Sequence, residues 1–195
     1  KPMMDEVAVV FTLIGEFRNM LLFSALLTGL LLLMRQWRHA IFAGSTLLFT
    51  ALANTATKYF FARVRPEVLS DPLTSYSMPS GHASGSFALF LTLAVLAGRG
   101  QPPRMRLTWL LVGCLPALAI SLSRVYLGAH WPTDVLAGAM LAACVCAASL
   151  WLIQRDTSLS ALPPKVWWLV LPSLVALFGF FVLRHLPHTM LRYAY

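Results

Sequence analysis

WPTDVLAGAMLAACVCAASLWLI, residues 131–153, decides how this chain is to be read. After Asp134 the stretch runs nineteen residues without a charge. A helix that crosses a bilayer needs about 20 mainly apolar residues, so this segment is long enough to be one. Pro132 is favourable just inside a helix start, which sets the expected beginning near Trp131.

Five further stretches of similar character lie outward from it, at Asn19–Met34, Ala40–Phe61, His82–Gly98, Leu107–Ser123 and Lys165–Leu183. Several sit near the short limit for a span. Charges or helix breakers separate most of them, as in Arg35–His39, Gly98–Arg106 with Pro102 and Pro103, and Gln154–Pro164. A shorter run, Val7–Gly15, cannot cross alone. Asp5, Glu6, Glu16 and Arg18 flank it, so residues 1–18 read as an interfacial segment. No repeat, low-complexity tract or linker divides the chain, and residues 1–195 read as one membrane domain. The expected fold is all-α, a polytopic transmembrane helical bundle of about six spans.

Composition agrees with that reading. Of 195 residues 58% are hydrophobic and 11% charged, with a mean hydropathy of +0.73, whereas soluble domains carry about 25% charged residues. The net charge of +8 is spread between apolar runs and polar loops, with no Lys/Arg-rich run or nucleic-acid motif. Nucleic acid is therefore set aside as a partner, and anionic phosphate and membrane lipids are expected. Cys114, Cys144 and Cys146 all fall inside apolar runs and read as helix-contact residues. No signal peptide is recognisable at the start. Lys1 rather than methionine opens the sequence, which leaves room for a longer chain.

Alternating the spans puts seven basic residues and one acid on one side, and eight basic residues and six acids on the other. Removing Lys58, Arg65 and Arg124, whose positions mark a site, leaves seven basic residues against five. That excess assigns the first side to the cytoplasm. The 62–81 and 124–131 loops then face outward, which places the active site at the outer membrane interface.

Three segments fall on that outer side. Lys58 and Arg65 stand seven residues apart, nearly two helical turns, so both can point one way before Pro66 stops the helix. Taken alone, they also read as interfacial anchors. In Pro79-Ser80-Gly81-His82, Ser80 suits a helix cap and Gly81 allows close approach to the backbone, giving an anion-binding helix start that holds His82. A plain cap with an incidental histidine is the other reading. In Ser123-Arg124-Val-Tyr-Leu-Gly-Ala-His130-Trp-Pro-Thr-Asp134, the carboxylate can fix the tautomer of a nucleophilic imidazole. Asp134 as a helix-dipole partner is the bland alternative. Three cations, neutral donors from Ser80 and Gly81, and two histidines together match one group, a phosphoryl with several oxygens.

These residues resemble the type 2 phosphatidic acid phosphatase family, which shares its site with bacterial non-specific acid phosphatases and vanadium haloperoxidases. The family pattern is Lys, six residues, Arg-Pro; Pro-Ser-Gly-His; and Ser-Arg, five residues, His, three residues, Asp. Its eleven fixed positions are met at Lys58, Arg65, Pro66, Pro79, Ser80, Gly81, His82, Ser123, Arg124, His130 and Asp134, and the resemblance covers roughly residues 40 to 153. It implies that His130 attacks phosphorus, Asp134 orients it, and His82 protonates the leaving oxygen. Lys58, Arg65, Ser80, Gly81 and Arg124 would then hold the phosphoryl oxygens, with no metal or cofactor.

The implied function is hydrolysis of a lipid phosphate or diphosphate. Undecaprenyl diphosphate is favoured over phosphatidylglycerol phosphate, phosphatidic acid and lipid A phosphate. Selectivity is expected from groove shape and the 67–78 loop, with Glu67, Asp71 and Tyr76. The expected location is a bacterial inner (plasma) membrane, with the site facing the periplasm or exterior. The alternatives are a vanadate-dependent haloperoxidase and a non-enzymatic phospholipid-binding or transport protein. Two full spans precede the first outer loop where the family commonly has three, so Val7–Gly15 is either the remnant of a span or follows a further membrane domain. His39 reads as a solvated loop residue. His185 and His188, with Pro187 between them, make a poor metal pair. Trp37, Trp131, Trp151, Trp167 and Trp168 read as interfacial belt residues.

Overall fold

The computed structural model describes residues 2–66 and 75–192, with side chains over 3–66 and 75–186. The described residues form seven helices: α1 (Pro2–Ile14), α2 (Phe17–Leu33), α3 (Trp37–Phe61), α4 (Gly81–Gly98), α5 (Pro103–Tyr126), α6 (Pro132–Ile153) and α7 (Pro164–Arg192). The last five are each long and apolar enough to span a membrane. α1 and α2 qualify only as a pair, bent by 52° at the break between them. The bundle is thus all-helical with five or six spans.

α4 is the central helix. It packs against α2, α3, α5 and α6, and 56% of its apolar window is buried, against 17% for α5 and 22% for α6. The outer helices turn Leu48, Phe49, Leu115, Leu136 and Met140 outward, as expected where lipid is the solvent and outward apolar groups carry no penalty. Gly138 lets α6 approach α4. A Cβ there would stand 2.7 Å from the Ser80 carbonyl oxygen and 3.1 Å from the Ser84 nitrogen. α1 packs on α5 and α7, with Thr12 Oγ1 2.8 Å from Ser123 Oγ.

Pro103 and Pro132 start α5 and α6 at the first helical position. The Ser80 hydroxyl caps α4 by accepting from the Ala83 amide at 3.4 Å. α3 ends four residues before Arg65, at Phe61, because Ala62 takes a left-handed conformation with φ 43°. The expectation that Lys58 and Arg65 share a helix face is corrected on this point: Arg65 lies on an extended segment beyond the helix.

At the opposite end, polar side chains hold the connection after α6. Arg38 donates to the carbonyls of Ile153, Thr157 and Ser158 at 2.5, 2.7 and 3.2 Å. Arg99 Nε donates to Leu159 O at 2.9 Å, and its Nη2 to Gln154 Oε1 at 2.8 Å. His39 belongs here too. It is buried in α3 with Nε2 2.9 Å from Ser160 O, not a solvated loop residue. The neighbouring segment has carbonyls to satisfy, and a ring one turn into the helix reaches them. Cys146 is buried, Cys114 half-buried and Cys144 exposed, and all three are free thiols.

Candidate active site

One end of the bundle gathers the predicted cluster from four places. Lys58 lies in the last turn of α3, Gly81 and His82 open α4, and Arg124 lies in the last turn of α5. His130 sits in the loop before α6. Together with Arg65 they line one cavity of about 800 Å³. Ser80 and Asp134 are fully buried behind it, linked to each other by the Ser80 amide donating to Asp134 O at 2.9 Å.

The loop between α5 and α6 is fixed by its own backbone. The amides of Ala129 and His130 both donate to Arg124 O, at 3.0 and 3.3 Å, and Gly128 supplies the positive φ the turn needs. Arg63-Val64-Arg65 crosses over this loop. Arg63 and Arg65, two residues apart on this non-helical segment, both reach down to it. Arg63 Nη1 donates to Thr133 Oγ1 at 2.6 Å and pairs with Asp134 Oδ1 at 2.8 Å. Trp131 Nε1 donates to Val64 O at 3.2 Å. Arg65 donates to Ser75 O, Ser75 Oγ and Ala129 O at 2.7, 2.8 and 2.8 Å.

His130 is buried between one donor on one side and a hydroxyl and an acid on the other. Arg65 Nη1 stands 3.1 Å from Nε2. On the other side, Nδ1 lies 3.4 Å from Ser77 Oγ and 3.6 Å from Asp134 Oδ2. The Ser77 hydroxyl gives its proton to Asp134 Oδ2, so its lone pairs face Nδ1. Asp134 Oδ2 also accepts from the Trp131 amide at 3.0 Å. The carboxylate therefore reaches the imidazole with the help of Ser77, a residue the motifs did not single out.

Burial pushes the His130 pKa down to about 4. The nearby Asp134 carboxylate works against this, and the positive charges of Arg65, Arg124 and Lys58 add to it. The imidazole is thus neutral near pH 7, with one lone pair available. His82 presents a buried Nε2 with no hydrogen-bond partner among the described residues. Lys58 Nζ donates to Tyr76 O at 2.6 Å, the same carbonyl that Arg65 Nη2 approaches at 3.4 Å. Glu67 and Asp71, expected to influence selectivity, lie outside the described residues.

From this charged cluster the cavity continues along α2 and α3 as far as Thr28 and Gly44. Gly44 lies fourteen residues before Lys58 on α3, a rise of about 21 Å. Met20, Ser24 and Ala25 of α2 face Leu47, Leu48 and Ala51 of α3 across it. Asn54, one turn before Lys58, lines it as well, with its Nδ2 donating to Ser84 Oγ at 2.9 Å. Among the described residues no three His, Cys, Asp or Glu side chains are grouped as a metal site. His185 instead meets Arg18, at 3.2 Å from its Nη2.

Sequence reasoning missed Arg63, Ser75, Ser77 and Asn54. Arg63 shares parity with Arg65 in a pre-proline segment, and Asn54 shares the Lys58 face at i−4, so both left a signal. Ser75 and Ser77 left none.

A family model for the PAP2 superfamily matches residues 38–158. Undecaprenyl-diphosphatase of Sulfolobus acidocaldarius is 36% identical over 129 residues, 58% of this chain and 55% of that protein. Phosphatidylglycerophosphatase B of Bacillus subtilis is 33% identical over 93 residues, 45% of this chain and 44% of that protein. The chain spans about half the length of these relatives. Among solved structures, a transmembrane PAP2-type phosphatidylglycerolphosphate phosphatase from Bacillus subtilis superposes with a TM-score of 0.69 at 23% identity, covering 80% of each chain.

Proposed function

This chain belongs to the PAP2 superfamily, and from that premise we propose that it is a membrane phosphatase. It removes phosphate from a lipid phosphate or diphosphate through a phosphohistidine on His130. The observation that carries this reading is the setting of His130: neutral, with Nδ1 turned to Ser77 and Asp134 and Nε2 turned to Arg65 in the cavity.

A guanidinium has no lone pair to offer. In the contact with Arg65 the imidazole must therefore be the acceptor, so Nε2 carries the lone pair and Nδ1 the proton. That is the tautomer in-line attack on phosphorus requires. Lys58, Arg65, Arg124 and the Gly81 amide stabilise charge on the phosphoryl oxygens, and Ser80 caps the helix start that presents that amide. His82 gives a proton to the leaving oxygen and then takes one from the water that hydrolyses the phosphohistidine. These cations supply what a metal supplies in other phosphatases, so no metal is required.

The groove between α2 and α3 suits a lipid tail lying beside the charged cluster. The similarity to an undecaprenyl-diphosphatase supports undecaprenyl diphosphate as the preferred substrate. The similarity to a phosphatidylglycerophosphatase keeps a monophosphate lipid in the comparison. The excess of basic residues at the Arg38 and Arg99 end, once Lys58, Arg65 and Arg124 are set aside, supports a cytoplasmic place for that end and an outer one for the site. Residues 1–195 act as one domain in this reading.

The test is phosphate release by purified, detergent-solubilised protein in EDTA. The substrates are undecaprenyl diphosphate, phosphatidylglycerol phosphate, phosphatidic acid and lipid A, with His130→Ala as control. Release that survives EDTA and disappears in the variant is expected. Equal release by the variant would remove His130 from the chemistry.

A further inference from the structure

The residues matched to the PAP2 superfamily begin at 38, so the break between α1 and α2 lies outside them. Yet this break stands against the site. A Cβ on Gly15 would lie 2.9 Å from His82 Cδ2 and 2.5 Å from Ile120 Cγ2, so only glycine lets the chain pass this close to His82. The next residues, Glu16 and Arg18, line the same cavity as His82, Lys58, Arg65, Arg124 and His130. Arg18 is exposed, on the first turn of α2, with its Nη2 3.2 Å from Nε2 of His185 on α7.

Displacement at phosphorus is in line, so attacking and leaving atoms lie on opposite sides of the phosphoryl group. His130 occupies the attacking side. If His82 serves the leaving oxygen, as in the function proposed above on which this inference rests, the break beside His82 faces the leaving group. The charged groups there are Arg18 and Glu16. Arg18 lies on α2, which carries none of the three cations that hold the transferred phosphoryl.

We propose that Arg18 binds the second phosphate of a lipid diphosphate and is a specificity-determining residue for diphosphate over monophosphate. In the step, the His130 Nε2 lone pair forms the N–P bond to the terminal phosphorus. The bond from that phosphorus to the bridging oxygen breaks, and its electron pair leaves on the lipid monophosphate. That product keeps the bridging oxygen as a phosphate oxygen, and Arg18 stabilises its charge by charge-assisted hydrogen bonds. With a lipid monophosphate the leaving group is an alcohol, which has no second phosphate for Arg18 to meet. Glu16 on the same wall opposes the second phosphate, so the two side chains act with opposite sign.

The experiment uses one isoprenoid alcohol carrying either one phosphate or two, and reads the ratio of kcat/KM for diphosphate over monophosphate. Wild-type protein is expected to favour the diphosphate. Arg18→Gln should lower the ratio at least about tenfold, the scale of one lost charge-assisted contact. Arg18→Lys should restore most of it, and Glu16→Gln should raise it. A membrane anchor at Arg18 would change both substrates by the same factor, and that outcome overturns the inference. A wild-type preference for the monophosphate overturns it too, without need of a variant. In both cases loss of turnover in His130→Ala keeps the phosphatase reading intact, whereas turnover retained in that variant removes the reading on which both rest.

Discussion

Arg65 Nη1 and His130 Nε2 are 3.1 Å apart, and the same guanidinium is anchored on Ser75 and on Ala129 O. One side chain thereby fixes where the cation stands and which imidazole nitrogen is unprotonated. Arg65→Lys keeps the charge but loses the planar fork. Steady-state kinetics on a lipid phosphate should show kcat/KM lowered roughly 100-fold, the scale of one lost transition-state donor. A loss under threefold would mean that charge alone suffices.

Ser77 stands between Asp134 and His130, giving its proton to the carboxylate and facing Nδ1 with its lone pairs. Ser77→Ala should lower kcat by roughly 10- to 100-fold while Tm stays close to wild type, because the hydroxyl's effect on catalysis exceeds one ordinary hydrogen bond of about 1 kcal/mol. Asp134→Asn should cost more in both respects. That carboxylate also holds Arg63 and the Trp131 amide, and its loss frees the tautomer. Unchanged kcat in Ser77→Ala would make the bridge structural.

The pH dependence follows from His130, whose pKa is lowered to about 4 against an ordinary value of 6.5. Between these values the unfolded chain binds a proton that the native protein does not. This group's contribution to stability is therefore fully present above about pH 6.5 and lost as pH falls towards 4. Over the same window the native imidazole keeps its lone pair. Diethyl pyrocarbonate reacts with neutral imidazole, so its inactivation of the enzyme through His130 should proceed at pH 5 nearly as fast as at pH 7. A midpoint near 6.5 for that reaction would show that the surrounding charge and burial have no effect on the ring.

His82 should matter unequally to the two substrate types. An alcohol leaving group depends on a proton, whereas a leaving phosphate oxygen has a pKa near 6 (roughly, as for phosphate monoesters) and depends on one far less. His82→Ala should lower kcat for a lipid monophosphate by roughly 100-fold or more. For the matching diphosphate the loss should be at least about tenfold smaller. Equal losses would place His82 in phosphoryl binding or in hydrolysis of the phosphohistidine rather than at the leaving oxygen.

Gly138 is expected to resist substitution. Gly138→Ala puts a methyl within 2.7 Å of the Ser80 carbonyl oxygen, and relieving such an overlap costs about 1–3 kcal/mol. Because Ser80 starts the helix that carries His82, thermal melting and kcat should fall together. A variant with wild-type Tm and kcat would show that α4 and α6 can separate freely.

Much of this was legible beforehand for a simple reason. Lipid leaves apolar runs as the only sequence that can cross, so the edges of α4 and α6 and the start of α7 fall within one residue of the hydropathy reading, while α7 runs on past Leu183 to Arg192. Fixed spacing likewise carried Lys58, His82, Arg124, His130 and Asp134 to one place. The apolar stretch ends at Phe61 as α3 does, but that Arg65 lies off the helix was not legible, because Ala62 adopts a left-handed turn without the glycine that usually announces one. His39 misled because its partner is a carbonyl on Ser160, 121 residues away, and main-chain acceptors leave no mark in a sequence. The bend between α1 and α2 was hidden for a similar reason: Gly15 is small because of His82 and Ile120, which only the fold brings near.

α4 is enclosed by protein, whereas α3 and α6 turn most of their length to lipid. The cluster is assembled from the ends of all three, so hydrocarbon thickness acts on it as a lever. Helices longer than the local bilayer tilt to hide their apolar length. A tilt of α3 or α6 against the enclosed helix would displace Lys58 or Asp134 relative to Gly81. Acyl-chain length in the host membrane is thereby expected to change the rate of phosphate release from one and the same lipid substrate.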